Sequence, residues 1–516
     1  MNVKFTSSLS DNKHLLLIGL LNFVIIYAST FVPGYGYFID EFYYIACANH
    51  PAFGYVDQPP LAPFILMIIQ FVFGDSIYVI RILPALASSA GVIMTGLIAK
   101  QLGGSKLSQS LSAFCILASP VFAAMAGFYS MNAYEPLLAV VAFYLIILMI
   151  KENNPKRWVS IGIVFGLGLM NKHTAGVYIL LMVISLLFTP QRSLLFNRWF
   201  LYSVLISAII FLPNVIWNAV NGFPTMEFYK NITLYKNVPY PPLQFLFIQI
   251  LYYSPLLLPF WFAGIVYLLF GKDMKQFRSL GLLFLLSFLF FMATRTSRPD
   301  RLAFAYPMVV AAGAIFFQSV LYKYNIRWVY GIVIVLLLGW FGLTVPIIIP
   351  YLNYEQSEAL TNFLGIKTEM EKGNKPRIPQ MLADRIGWRE KVDLVIKAYE
   401  SMSESDKKRT MIATGNYGDA GAIELYGKKY NLPRVVCGHN NYYLWSKGHM
   451  DKDIVIDLSH ADNYEGEKEI FGNVVPFDGE FSHPFVTSHE NHLKVFICRD
   501  PLLPLDTLLE QAKFYY

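Results

Sequence analysis

The chain of 516 residues is short of charge: Asp, Glu, Lys and Arg together make up 15% of it. A soluble domain carries about 25%, so a water-soluble protein of ordinary composition is excluded. Cysteine is equally scarce. Cys47, Cys115, Cys437 and Cys498 show no metal-ligand spacing, and the chain has no CxxC pair and no HExxH. Zinc fingers and zincin chemistry therefore find no support. No Walker motif offers a nucleotide loop, and neither an internal repeat nor a low-complexity tract is visible. The net charge of +6 is spread over short loops without a basic patch, so no nucleic-acid partner is expected. Cys437 and Cys498 both fall in the polar C-terminal part, where an oxidising compartment would allow a disulfide; two free buried thiols are the blander reading.

What is present is apolar length. Hydrophobic residues make up 55% of the chain, and mean hydropathy is +0.45. Apolar runs lie near 14–32, 78–99, 107–127, 134–150, 158–170, 174–189, 199–215, 243–270, 279–294, 302–320 and 328–349. Typical runs of roughly 17–22 residues match a hydrocarbon core about 30 Å thick. The first is too long for a signal h-region and has no A-x-A-type site after it, so it reads as a retained span. The fold class is a polytopic α-helical membrane protein. The run 61–73 is short and follows Pro59, Pro60 and Pro63, and positive charge decides its place. With a cytoplasmic N-terminus and 61–73 lying at the interface, the cytoplasmic segments hold Lys4/Lys13, Lys100/Lys106, Lys151/Lys156/Arg157, Arg192/Arg198, Lys272/Lys275/Arg278 and Lys323/Arg327. Every such segment then carries at least two basic residues, as the positive-inside rule requires. This predicts about eleven spans over residues 1–350, with interfacial helices.

Beyond Pro350 the composition becomes that of a soluble domain, 351–516, which the last span delivers to the outer face. Residues 410–414, 434–437, 453–457 and 494–498 read as strands, and 419–427 as a helix entered from the turn 415–418. Strands alternating with helices predict a small α/β extracytoplasmic domain.

On this topology the outer face collects Asp40, Glu41, Asp57, Glu135, Lys172, His173 and the cluster Arg295–Arg301. Carboxylates at a membrane interface are costly to desolvate and mark candidate sites. The bland reading of Asp40 and Glu41 is a cap on a short helix, but Tyr43, Tyr44, His50, Tyr55, Asp57 and Gln58 follow closely. Those aromatics suit sugar stacking or interface anchoring. Glu135 before Pro136 also makes a sensible helix start. Lys172-His173 reads as an interfacial turn with a snorkelling lysine or as a phosphate-binding cation. Arg295, Arg298 and Arg301, next to Tyr306, concentrate three guanidiniums whose forks match phosphate oxygens; anionic lipid headgroups are the unspecific alternative. An acid beside cations at a bilayer suits group transfer from a lipid phosphate, the carboxylate acting as general base. Rival readings are a transporter or flippase, which would place ionisable residues near mid-membrane, and an inactive scaffold.

Tyr37-Phe-Ile-Asp-Glu-Phe-Tyr-Tyr44 with Gly54-Tyr-Val-Asp-Gln-Pro-Pro-Leu61 resembles the opening of the bacterial protein O-mannosyltransferase-like glycosyltransferases, GT-C enzymes related to the lipid A aminoarabinose transferases. Ser130–Glu135, Gly168–His173, Asn221–Phe228, Asn416–Ile423 and Gly438–Trp445 are similar to that group too. The resemblance implies an inverting enzyme of the bacterial inner membrane using a polyprenyl-phosphate sugar, with a lipid, polysaccharide or protein acceptor. It implies Asp40 as base, with Glu41 and Glu135 as further catalytic acids. Glu135 stands where the family usually has Asp, which leaves dependence on a divalent metal open. Lys172 and the arginines at 295, 298 and 301 match the donor-phosphate cations. Tyr43, Tyr44, His50, Tyr55, Asp57, His173 and Tyr306 complete the expected substrate-binding set.

Overall fold

A computed structural model describes residues 11–237, 239–294, 298–366, 368 and 375–516. Arg295 and Lys4 lie outside the described residues. Among the described residues, seven helices are long and apolar enough to cross a membrane: Lys13–Phe31, Ile77–Gln101, Met131–Glu152, Arg198–Val220, Lys275–Thr294, Asp300–Lys323 and Val329–Ile347. Two further pairs pass that test jointly but are bent, Lys106–Leu117 with Pro120–Ala126 by 62° and Pro242–Tyr253 with Pro255–Phe270 by 95°. Counting each pair once gives nine among the described residues. The difference from eleven lies at two runs. They form Trp158–Asn171, with 14 residues, and Ala175–Leu187, with 13. At about 1.5 Å per residue such helices reach about 20 Å, short of the hydrocarbon thickness. Leu61–Phe73 is likewise a short apolar helix, and its end turns Phe71 and Phe73 outward at 91% and 66% exposure.

The C-terminal part contains one five-stranded mixed sheet in the order β2-β1-β3-β5-β4. Its strands are β1 Thr410–Thr414, β2 Val435–Cys437, β3 Ile454–His460, β4 Phe471–Pro476 and β5 Leu493–Pro501. β1 runs parallel to β2 and β3, while β5 is antiparallel to β3 and β4. β4 is absent from the strands expected on sequence grounds. Its segment Phe-Gly-Asn-Val-Val-Pro carries Gly472, Asn473 and Pro476, which mimic a turn and which an edge strand tolerates.

Cys437 and Cys498 are free and buried, as are Cys47 and Cys115. Cys437 lies on β2 and Cys498 on β5, with β1 and β3 between them. Three strand spacings of about 4.8 Å put them well beyond the reach of a disulfide, about 7 Å between Cα atoms.

Two large apolar cores result. One fills the bundle, around Phe143, Tyr178, Phe304 and Tyr306. The other joins the two halves of the chain, packing Phe42, Tyr43, Tyr44 and Tyr129 with Ile386, Trp388, Ala420 and Ile423. The sheet domain therefore sits directly on the segment that follows the first long helix, and that seam positions the site.

Candidate active site

Five helices bring the polar residues together: α1 Ile39–Asn49, α2 Met131–Glu152, α3 Arg198–Val220, α4 Pro224–Asn231 and α5 Tyr417–Gly427. Asp40 and Glu41 occupy the first turn of α1. Neighbouring side chains on a helix point about 100° apart, so these two acids meet different surroundings. Asp40 is half-buried, and its Oδ1 accepts the Tyr417 hydroxyl at 2.8 Å. Glu41 is fully buried and holds Arg81 bidentately, Nε to Oε1 at 2.9 Å and Nη2 to Oε2 at 2.6 Å. It also accepts the backbone N–H groups of Phe38 and Tyr129, both at 2.8 Å. Four donors thus tie Glu41 to the scaffold, unlike Asp40.

Asp57 lies within electrostatic reach of Asp40, and its Oδ1 accepts the Tyr43 hydroxyl at 2.9 Å. Burial pushes the Asp57 carboxyl up to about 7, with the Tyr43 hydrogen bond opposing that rise. The backbone N–H of Asn441 donates to the Tyr43 oxygen at 3.3 Å, so the sheet domain braces this pair.

A second group surrounds Glu135 near the start of α2. Glu135 is buried, receives Lys172 Nζ at 2.6 Å and accepts the Thr174 hydroxyl. Next to Lys172, His173 shows how the sequence fixes a tautomer. Asn214 Nδ2 donates to the Phe53 carbonyl at 3.0 Å, which turns Asn214 Oδ1 toward His173 Nε2 at 3.2 Å. Nε2 then carries the proton, and Nδ1 accepts the Tyr229 hydroxyl at 3.2 Å. Burial lowers the His173 pKa, which favours this neutral form. Tyr229, whose own pKa burial raises, lies within electrostatic reach of Arg301, Asp57 and Glu135. It thus lies within electrostatic reach of both acidic groups. Arg298 Nε pairs with Asp300 at 3.2 Å, and Asp300 also feels Lys172 and Arg301. Gly54 lets α3 approach the first loop, because a Cβ there would lie 2.4 Å from the Trp217 ring.

The structure thus gathers Asp40, Tyr43, Asp57, Glu135, Lys172, His173, Arg298 and Arg301 at one end of the bundle. Four other expected residues lie apart from this group. Tyr44 is buried and its oxygen accepts the Met131 N–H at 3.0 Å. Tyr55 is fully buried, donating to the Cys47 carbonyl at 2.8 Å. Tyr306 is fully buried, stacks on Tyr253 at 3.7 Å and donates to Gln249 at 3.0 Å. His50 stacks on Trp445 at 4.5 Å and lines a separate cavity of about 460 Å³ with Glu424 and Arg434. Tyr44, Tyr55 and Tyr306 thus serve packing or loop closure, whereas His50 stays exposed at its cavity. Sequence reasoning misses Arg81, Thr174, Asn214, Tyr229 and Tyr417. Tyr417 lies inside a stretch singled out for resemblance, and Thr174 and Tyr229 each directly follow one, while Arg81 and Asn214 carry no such signal.

Among the described residues no group of three or more His, Cys, Asp or Glu side chains is arranged to hold a metal ion. Asp40 and Asp57 make only a pair, and Glu41 is spent on Arg81.

The family model described as dolichyl-phosphate-mannose-protein mannosyltransferase matches residues 57–217. An undecaprenyl phosphate-alpha-4-amino-4-deoxy-L-arabinose arabinosyl transferase of Pseudomonas fluorescens (strain Pf0-1) is 24% identical over 167 residues, which is 31% of this chain and 29% of that protein. The chain therefore matches under a third of that relative's length. ArnT from Cupriavidus metallidurans bound to undecaprenyl phosphate has a TM-score of 0.58 at 11% identity, covering 94% of this chain and 97% of that one. The Archaeoglobus fulgidus oligosaccharyltransferase tethered with an acceptor peptide has a TM-score of 0.54 at 15% identity, covering 96% and 76%. With its helical bundle and small sheet domain, the chain shares the fold of these two glycosyltransferase structures.

Proposed function

We propose that this protein is a multi-pass glycosyltransferase of the bacterial inner membrane that moves a sugar from a polyprenyl phosphate to an acceptor hydroxyl. The acceptor is a lipid, polysaccharide or protein. The N-terminus is cytoplasmic and the sheet domain, 351–516, lies outside. The observation that carries this reading is the half-buried carboxylate of Asp40 within electrostatic reach of Asp57, at the same end of the bundle as the cations Lys172, Arg298 and Arg301 that surround Asp300.

Asp40 takes the proton of the acceptor hydroxyl as its oxygen attacks the anomeric carbon. The bond from that carbon to the phosphate oxygen breaks, and the polyprenyl phosphate leaves with the electron pair. Attack opposite the leaving group inverts the anomeric centre. Arg298 and Arg301 stabilise the charge gathering on the phosphate. Glu135 holds Lys172 and Thr174 in place beside them, so its part is electrostatic and orienting. The transporter alternative draws no support, since these ionisable residues cluster at one end of the bundle.

The test is to incubate the purified protein with a panel of polyprenyl-phosphate sugars and acceptors and measure released polyprenyl phosphate. Acceptor-dependent release by the wild type, lost in Asp40→Asn, is expected. Release by folded Asp40→Asn at the wild-type rate would overturn Asp40 as base.

A further inference from the structure

We infer that Tyr417 of the sheet domain is a positioning residue for Asp40, holding the carboxylate in its ionised, proton-accepting form. This rests on the proposed function.

The placement of Tyr417 follows from a buried clamp beneath it. Asn416 caps α5, its Oδ1 accepting the N–H groups of Gly418 at 2.8 Å and Asp419 at 3.0 Å. The same side chain donates from Nδ2 to Asp419 at 2.9 Å and to Glu490 at 3.0 Å. Lys391 completes the clamp, donating to Asp419 at 2.9 Å and to Glu490. All three charged side chains are at most 4% exposed. Breaking up such a buried, mutually satisfied set leaves an uncompensated charge, so the turn that presents Tyr417 is rigid.

The ring is held as firmly as the backbone. It packs between Tyr43 at 4.9 Å and His439 at 4.4 Å. Gly421 brings α5 against α1, since a Cβ there would lie 2.9 Å from the Phe42 carbonyl oxygen. Both members of the 2.8 Å hydrogen bond thus sit on the first turns of two helices in direct contact.

A hydroxyl donating to a carboxylate favours its ionised form. The need is evident from the other groups at this seam. Asp57 repels the Asp40 charge, and Lys236 acts on Asp57. Tyr44 lies within electrostatic reach of Asp40, while Tyr43 and His439 flank the Tyr417 ring. Glu41 and Arg81 neutralise each other in the scaffold.

The test is the pH profile of kcat/KM for polyprenyl-phosphate release by Tyr417→Phe, which keeps the ring and removes the donor. The acid limb should move up by about one pH unit, with the rate about tenfold lower below it, as loss of one hydrogen bond to a charged group predicts. Above the limb the rate should return to within a few-fold of wild type. A purely structural role would lower the rate equally at every pH, and an unmoved limb overturns the inference. Should Tyr417→Phe fail to fold, 3-fluorotyrosine at 417, a more acidic phenol and stronger donor, should move the limb down; no movement there overturns the inference as well. Wild-type protein without any turnover would instead refute the proposed function, while an active wild type, a dead Asp40→Asn and an unmoved limb would refute only this inference.

Discussion

Arg81 Nη2 lies 2.6 Å from Glu41 Oε2, with both side chains sealed from water. This pair separates two adjacent acids into two roles, because Glu41 is consumed by the scaffold and Asp40 alone faces the seam. Glu41→Gln should therefore destabilise the protein by about 3–5 kcal/mol, the usual consequence of leaving a buried charge unpaired. Asp40→Asn should leave the melting temperature in detergent nearly unchanged. Equal melting temperatures for both variants would contradict this division.

Asp40→Asn should lower transfer by about 10²–10⁴-fold, the range general-base catalysis contributes. The release of polyprenyl phosphate from a defined donor measures it, with circular dichroism confirming the fold.

Arg298→Ala and Arg301→Ala should each weaken donor use, seen as a fall in kcat/KM with donor concentration varied. Lys172→Met should do more harm, since it also leaves Glu135 buried without its 2.6 Å partner. Unchanged kinetics in all three variants would remove the phosphate-binding role.

Asp57 supplies a pH signature in stability. Its folded pKa, about 7, lies above the value of about 3.9 expected in an unfolded chain. The folded state therefore binds the proton more tightly, and this contribution is full below about pH 4 and lost as pH rises through about 7. Asp57→Asn, which cannot ionise, should gain in melting temperature relative to wild type as pH is raised from about 5 to about 8. A constant difference across that range would refute the assignment.

Much of this architecture is legible in the chain because apolar length and strand alternation are local properties. All the long runs form helices, and the segments 410–414 and 494–498 lie in strands. The edge strand β4 escapes because its glycine and proline look like a turn. Candidate site residues stand out where charge is rare, as at Asp40, Glu135 and Lys172. Tyrosines are the failure: with 33 in the chain, aromatic identity says little about whether a ring meets substrate or fills a core. The difference between Asp40 and Glu41 depends on Arg81, some forty positions away, and no local pattern announces that.

The close seating of α5 on α1, made possible by the missing side chain at Gly421, has a practical corollary for anyone trimming the gene product. Severing the polypeptide after residue 350 would strip an oily seam bare and leave Phe42 and Tyr43 in water. Such a fragment should clump on extraction, so the sheet domain is better regarded as the bundle's missing wall than as a detachable accessory.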